Sequence, residues 1–230
     1  MALILTIDTA LTQACISISS EGKVVAEEKN DSQYNHASFV QPSIKRMTEK
    51  LSVPLSALQA VAVVNGPGSY TGLRVGLASA KGICYALDKP LILINTLYLL
   101  ATAAQSAVNG QLPAADSQSL LCPMIDARRM EVFTALYDSS LREIKSPSAE
   151  ILDENYLSDL LKEHTIFFSG NGSVKFQQIC NCPNAVFLQQ GYSSANAAAL
   201  AYQSYLKKEF ADIAYCEPFY VKGFYTKKAI

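Results

Sequence analysis

The chain reads AVAVVNGPGSYTG from Ala60 to Gly72, an apolar run followed at once by a glycine-rich turn. The five apolar residues at its start predict a buried strand. Ser69 and Thr71 are typical of residues that cap a helix, and the apolar spacing beyond them predicts a helix to about Leu87. A strand that leads through a tight turn into a helix is the unit from which α/β folds are built.

Strands and helices also alternate on both sides of this turn. An apolar run from Leu3 to Ile7 ends at Asp8, and Leu91–Ile94 predicts a further strand before another helix. Helical spacing from Asn35 to Leu51 predicts a helix that is kinked, or begins late, at Pro42. We therefore expect an α/β fold with a largely parallel core.

The second half of the chain repeats the order of features in the first half. Ile125-Asp126 ends a strand before a hairpin, as Ile7-Asp8 does, and GNGS from Gly170 follows a strand as GPGS from Gly66 does. This order predicts a duplication with two small α/β lobes. We place them at residues 1–108 and 109–230, with the last helix free to pack back on the first lobe.

Each predicted lobe combines an aspartate with a glycine turn. A carboxylate just beyond a buried strand lies at the sheet edge where α/β folds bind ligands, and a glycine turn before a helix offers free N–H groups. Two such lobes are the organisation of actin-like and hexokinase-like ATPases. The alternatives are that Asp8 caps a turn, that Ser69 or Thr71 is an ordinary helix cap, and that the glycines only satisfy left-handed backbone angles.

Composition excludes several classes of protein. The formal net charge is −1, 17% of the residues are charged and 50% are hydrophobic, which argues against disorder and against a broad basic surface for nucleic acid. No apolar run reaches the length of a membrane span, and the start lacks the basic region of a signal peptide. The six cysteines lack zinc-site spacing. We expect a cytoplasmic protein with reduced thiols and no metal site.

The stretch GPGSYTGLRVG at residues 66–76 resembles the signature of the bacterial TsaB (YeaZ) family. Further motifs in family order span nearly the whole chain: Ile7–Ala10, Ala80–Gly82, Ile125–Arg128 with Glu131 and Val132, Ser169–Gly172, and Glu217–Tyr220.

This resemblance implies a duplicated actin-like (ASKHA, ribonuclease-H-like) fold and a role in forming N6-threonylcarbamoyladenosine at position 37 of tRNAs that read ANN codons. It implies a non-catalytic scaffold that binds and activates the catalytic TsaD paralogue, with the ATPase TsaE joining the assembly. ATP and metal would then be used by the partner subunits, with no cofactor on this chain. The resemblance also implies a homodimer when the chain is alone, and tRNA as a partner through the complex.

The histidine content agrees with a chain that has no catalytic residues. The catalytic paralogue carries Asn-His-x-x-x-His after the helix that follows its glycine loop, whereas this chain has Thr96 and Leu100 at the two histidine positions. His36 and His164 are its only histidines. The alternative, an actin-fold ATPase or small-molecule kinase acting alone, depends on Asp8, Asp126 and the two glycine turns.

A stripe of residues on the predicted helix after Ser69 suggests how a partner would bind. Small residues recur there at helical spacing, and small residues let two helices approach closely. We predict a partner interface formed by this stripe and by apolar residues of the preceding helix: Phe39, Val40, Ile44, Gly72, Gly76, Ala80 and Ile83. The alternative is that Gly72 and Gly76 pack on the chain's own sheet.

A nucleotide site shared with a partner would need phosphate contacts from this chain. The candidates are the two aspartates, the first glycine turn and nearby arginines, which pair well with phosphate: Asp8, Gly66, Gly68, Ser69, Arg74, Asp126, Arg128 and Arg129. Surface ion pairs are the alternative role for the arginines. Three basic residues near the end, Lys222, Lys227 and Lys228, could touch tRNA or simply be solvated.

Overall fold

The computed structural model describes residues 2–31, 35–109, 119–189 and 191–223, which form two compact units. The first unit takes the residues up to Ala103 together with Tyr192–Phe219, and the second takes Ala104–Gly191 and the residues from Tyr220 on. Lys227 and Lys228 lie outside the described residues. In the part of the chain that is described, no helix has both the length and the hydropathy to cross a membrane.

The first unit contains a five-stranded sheet in the order β3-β2-β1-β4-β5. β1 pairs antiparallel with β2 and parallel with β4, and β4 pairs parallel with β5. The strands are β1 Leu3–Asp8, β2 Ala14–Ser20, β3 Lys23–Asn30, β4 Ala60–Gly66 and β5 Leu91–Asn95.

Helices cover this sheet because its central strands are apolar along their whole length. β1 and β4 are buried at every residue, whereas β3 at the sheet edge alternates between exposed and half-buried residues. The helices of this unit are α1 His36–Leu51, α2 Tyr70–Leu87, α3 Thr96–Asn109, which continues into the second unit, and α6 Ser194–Lys207. Helix α6 contacts β1, β2, β3 and β5.

The second unit contains a sheet in the order β10-β9-β6-β7-β8. Its strands are β6 Leu120–Asp126, β7 Glu131–Asp138, β8 Glu143–Ile151, β9 Ile166–Ser169 and β10 Ala185–Phe187, and its short helices are α4 Ser158–Glu163 and α5 Ser173–Gln177. Rings of Phe168, Phe176 and Phe187 pack together in its core, with centroids 5.0–6.0 Å apart.

The two sheets have the same topology. From β8 across to β10, the second sheet runs β8-β7-β6-β9-β10. Counted in chain order within the unit, these are its third, second, first, fourth and fifth strands, and the first sheet has the same order. The first three strands pair antiparallel and the last two parallel in both sheets. The predicted fold class, a duplicated actin-like α/β fold, is confirmed.

The ends of three helices follow from the local backbone. α1 begins at His36 and contains Pro42, so of the two predicted alternatives the late start is wrong. α4 begins at Ser158, directly after Leu157, which adopts a left-handed backbone. α6 stops at Lys207, because Lys208 is left-handed and its N–H bonds back to the last turn.

Candidate functional site

Asp8 is the last residue of the central strand of the first unit and is only 5% exposed. Its Oδ1 accepts the N–H of Ala10 at 3.0 Å, and its carboxylate accepts a hydrogen bond from the Tyr192 hydroxyl. Burial raises the pKa of Asp8 to about 6, although both hydrogen bonds act in the opposite direction. The carboxylate is therefore engaged by groups of its own chain.

The first glycine turn packs against the segment that follows Asp8. The Ser69 N–H donates to the carbonyl of Ala10 at 2.7 Å, and the Ser69 side chain caps α2 by accepting the Gly72 N–H at 3.3 Å. A Cβ at Gly68 would overlap the Ala10 carbonyl. The close approach that Gly68 permits is thus an approach to the chain's own backbone.

A segment near the carboxyl end closes the other side of this turn. The Phe219 N–H donates to the carbonyl of Asn65 at 2.8 Å. Gly66 has a φ of +119°, and a Cβ there would overlap the Phe219 carbonyl. The structure thus brings Asp8, Gly66 and Ser69 into one region and packs it with its own residues. A phosphate contact at Gly66, Gly68 or Ser69 stays a prediction.

The small-residue stripe of α2 faces the sheet. A Cβ at Gly72 would overlap the Thr9 carbonyl, and one at Gly76 would overlap the Thr9 hydroxyl. The Thr9 hydroxyl donates to the Gly72 carbonyl at 2.7 Å, and Ala80 is fully buried. This corrects the prediction that the stripe lies against a partner, because these three residues hold the helix close to β1.

The other predicted interface residues divide by exposure. Val40 and Ile44 are buried in the core of the first unit, whereas Phe39 and Ile83 pack on that core while keeping part of their surface accessible. Of the seven, only Phe39 and Ile83 remain available to a partner.

The outward side of α2 carries a second series of residues at helical spacing. We call it the outer face of α2 and define it as Thr71, Arg74, Ala78, Gly82 and Tyr85, all exposed. A Cβ at Gly82 would meet no atom within 4 Å. The Arg74 guanidinium lies over the Tyr70 ring, 4.1 Å from its centroid. Sequence periodicity grouped the small residues on one face of this helix but could not tell whether the sheet or a partner covers that face.

Asp126 is the equivalent aspartate of the second unit, and its side chain is 42% exposed. The Lys175 ammonium lies 2.8 Å from its Oδ1, and the Arg128 N–H donates to the same oxygen at 2.6 Å. Partial burial acts to raise the pKa of Asp126, but the Lys175 hydrogen bond and charge and the Arg128 N–H outweigh it, so the pKa is lowered.

The second glycine turn packs on the strand that Asp126 ends. The Gly172 N–H donates to the Met124 carbonyl at 3.0 Å, and a Cβ at Gly172 would lie 2.9 Å from the Ile125 carbonyl carbon. The Asn171 side chain accepts the Asp126 N–H at 3.0 Å. As in the first unit, the glycine permits an approach to the chain's own strand.

Sequence reasoning missed Tyr192 and Lys175, the partners of the two aspartates. Tyr192 precedes α6, and Lys175 lies in the first turn after the second glycine turn. Neither belongs to a motif that spacing could reveal, and each reaches its aspartate only through the tertiary fold.

The segment that holds Thr96 and Leu100, where the catalytic paralogue has its two histidines, has a local structural role in this chain. The Asn95 side chain caps α3 by accepting the N–H groups of Leu97 and Tyr98 at 2.9 and 3.1 Å. Thr96 and Leu100 are buried. Among the described residues, no three His, Cys, Asp or Glu side chains are grouped so that they could hold a metal ion.

Two known proteins with similar sequences carry the same name. The chain is 30% identical over 179 residues to the tRNA threonylcarbamoyladenosine biosynthesis protein TsaB of Bacillus subtilis, covering 76% of this chain and 74% of that protein. It is 27% identical over 219 residues to the protein of the same name in Haemophilus influenzae, covering 86% and 84%.

A solved structure of YeaZ from Pseudomonas aeruginosa shares the fold, with a TM-score of 0.75 and 22% identity over 96% of this chain and 100% of that chain. A Pseudomonas aeruginosa protein described as uncharacterized, with similarity to peptidase YEAZ, gives a TM-score of 0.77 at 21% identity, with the same coverage.

Two sheets of one topology, each with an aspartate at the end of its central strand and a glycine turn before a helix, define a duplicated actin-like protein. Residues 23–221 match the family model described as "TsaD: tRNA N6-adenosine threonylcarbamoyltransferase". The chain belongs to the TsaB family, as its glycine signature predicted.

Proposed function

We propose that this chain takes part in forming N6-threonylcarbamoyladenosine in tRNA, as a non-catalytic subunit that binds and activates a TsaD-type paralogue. The observation that carries the proposal is that the chain's own groups engage both aspartates and fill the approach to both glycine turns. Its Bacillus subtilis and Haemophilus influenzae relatives are named biosynthesis proteins for this modified base. The modified base is expected at position 37 of ANN-reading tRNAs.

The two aspartates favour this role over that of an ATPase or kinase acting alone. Metal-bound phosphate chemistry needs ionised carboxylates with free oxygens. Asp8 is buried and accepts hydrogen bonds from Ala10 and Tyr192, and Asp126 is paired with Lys175. ATP and metal are accordingly assigned to the partner subunits, with a TsaE-type ATPase joining the assembly.

We place the partner interface on the outer face of α2, with Phe39 of α1 and Ile83 beside it. Ala78 and Gly82 are small and exposed, so a second helix can approach α2 closely there. Tyr85 at the end of this face is 85% exposed, and exposed tyrosine is frequent at protein interfaces. The same face would serve a homodimer when the chain is alone.

The test of the proposed function is a reconstitution of threonylcarbamoyl transfer to tRNA, with a pre-formed activated threonylcarbamoyl donor and ATP supplied. The catalytic paralogue and the ATPase component of the same organism are assayed with and without this chain. We expect the modified base only when the chain is present, and none when the chain is the sole protein. Equal product without the chain would contradict the proposal.

The interface is tested by Ala78→Arg, which places a charge in the middle of the outer face. Burying an unpaired charge is costly, so we expect affinity for the paralogue to fall roughly 100-fold, and the homodimer to dissociate, by analytical ultracentrifugation. The matched control is Ala199→Arg on α6, which is also an exposed helical alanine. Equal effects of the two variants would contradict this interface.

A substitution in the small-residue stripe of α2, which faces the sheet, would give a misleading test of the partner interface. A leucine at Gly76 would be driven into Thr9, Ile7 and Val63 of the sheet. Failure of Gly76→Leu to assemble would therefore reflect damage to the first unit, so it cannot report on a partner.

A further inference from the structure

The hairpin turn between β6 and β7 carries two adjacent arginines in an unusual backbone conformation. Arg128 and Arg129 have φ of +72° and +46°. A left-handed φ at two successive non-glycine residues is uncommon, because side chains crowd the backbone there. Such outliers persist where the surrounding structure enforces them, and they concentrate at functional sites.

The turn is held by hydrogen bonds on both of its sides. The Asp126 carboxylate accepts the Arg128 N–H at 2.6 Å, the Glu131 N–H donates to the Arg128 carbonyl at 3.0 Å, and the Ala127 N–H donates to the Glu131 carbonyl at 3.0 Å. The backbone that displays the two arginines is therefore pre-organised.

The charges around the turn leave the two guanidinium groups available. The nearby carboxylates are already paired, Asp126 with Lys175 at 2.8 Å and Glu131 with Lys222 at 2.7 Å. Within the described part of the chain, neither the Arg128 nor the Arg129 guanidinium has a hydrogen-bond or ion-pair partner. The turn thus carries two guanidinium charges beside two ion pairs that are already neutralised.

We propose that Arg128 and Arg129 bind the phosphate backbone of the RNA substrate. This inference rests on the proposed function. Guanidinium groups match phosphate oxygens bidentately, and phosphate contacts position an RNA without reading its sequence. A free nucleotide would need a concave site that buries it, whereas Asp126, Arg128, Arg129 and Met130 are all exposed at the end of a hairpin. Exposed cations on a turn suit an extended polyanion.

The test uses the complex of this chain with its catalytic paralogue, and unmodified tRNA transcript as the probe. For Arg128→Ala with Arg129→Ala, we expect RNA affinity to fall about tenfold at moderate salt, and the slope of log affinity against log salt to become shallower by about 1.5. The control is Arg142→Ala, which removes an exposed arginine of the same unit that is paired with Asp138 at 2.6 Å. We expect no change for the control.

A second variant separates the effect of the backbone conformation on stability from the effect of the arginine charges on RNA binding. Arg128→Asn with Arg129→Gly supplies residues that adopt a left-handed backbone more readily than arginine, so we expect a higher urea midpoint together with the same loss of RNA affinity and salt dependence. A binding defect that accompanies increased stability cannot be attributed to misfolding.

The outcomes distinguish this inference from the proposed function. Unchanged RNA affinity and salt slope in the double variants would overturn the inference, even while the wild-type complex still forms the modified base. Loss of paralogue binding, or loss of ATP binding in place of RNA binding, would also overturn it. A wild-type complex that makes no modified base would contradict the proposed function, while the RNA-binding comparison would still decide the role of the arginines.

Discussion

Gly72→Ala is expected to destabilise the first unit by about 2–3 kcal/mol. The new Cβ would overlap the Thr9 carbonyl, which is rigid backbone at the end of β1 and cannot move aside as a flexible side chain would. Overpacking costs about 1–3 kcal/mol, and the displaced helix also weakens the buried hydrogen bond from Thr9 to the Gly72 carbonyl, worth about 1 kcal/mol. The helix propensity of alanine recovers up to about 1 kcal/mol of this loss.

The measurement is urea unfolding, in which this loss lowers the midpoint by about 1 M. The matched control is Gly82→Ala on the same helix, where the new Cβ meets open space. That control should stabilise the chain by about 0.5–1 kcal/mol through helix propensity alone. Stabilisation by both substitutions would contradict the close packing of α2 on β1.

Gly72→Ala is expected to lower the stability of the chain and Gly82→Ala to raise it. Helical spacing in the sequence alone could not predict this difference. Helical spacing correctly grouped Gly72, Gly76 and Ala80 on one side of α2. It could not say whether that side meets the sheet or a partner, because small residues permit close packing in both cases. Only the position of Thr9, 63 residues earlier in the chain, decides between them.

The fold itself was much more predictable, because it depends on patterns that are local in the sequence. Buried strands such as Leu3–Asp8 and Ala60–Gly66 are continuous apolar runs, and each glycine turn directly precedes a helix. The repeated order of these features was sufficient to predict the duplication. The partners of the two aspartates were not predictable, because Tyr192 and Lys175 reach them across long separations in the sequence.

The duplication also makes the two aspartates a natural comparison. Asp8 and Asp126 each end the central strand of a five-stranded sheet. Their pKa values nevertheless move in opposite directions, since burial dominates at Asp8 and the ion pair with Lys175 prevails at Asp126. Equivalent positions in the fold therefore contribute to stability with opposite dependence on pH.

Asp8→Asn is expected to stabilise the chain at pH 8 by about 2 kcal/mol. The rise in the pKa of Asp8 from its ordinary value of 3.8 to about 6 means that the fold disfavours the ionised carboxylate. That difference corresponds to about 3 kcal/mol above pH 7, part of which the amide loses because its NH₂ group needs new partners. The Ala10 N–H can still donate to the oxygen of the amide.

The stability advantage of Asp8→Asn is expected to depend on pH, in a direction that follows from the raised pKa of Asp8. Between pH 6 and pH 4 the folded chain holds a proton on Asp8 that the unfolded chain has released, so wild-type stability from this group rises as the pH falls through that window. The advantage of Asp8→Asn should therefore shrink from pH 8 to pH 4 in urea titrations. Cys15 beside Asp8 does not interfere, because burial and nearby carboxylates raise its pKa to about 12.

Asp126→Asn is the matched control, since its position in the second sheet is equivalent. There the folded state favours the ionised form, so the substitution should cost stability at pH 8, by no more than about 1 kcal/mol for a pair this exposed. Its cost should be lost as the pH falls from the ordinary pKa of an aspartate through the lowered pKa of the folded state, in the direction opposite to that of Asp8→Asn. A loss of stability at pH 8 in Asp8→Asn would mean that the first unit requires the ionised carboxylate, and would contradict burial as the dominant effect on the pKa of Asp8.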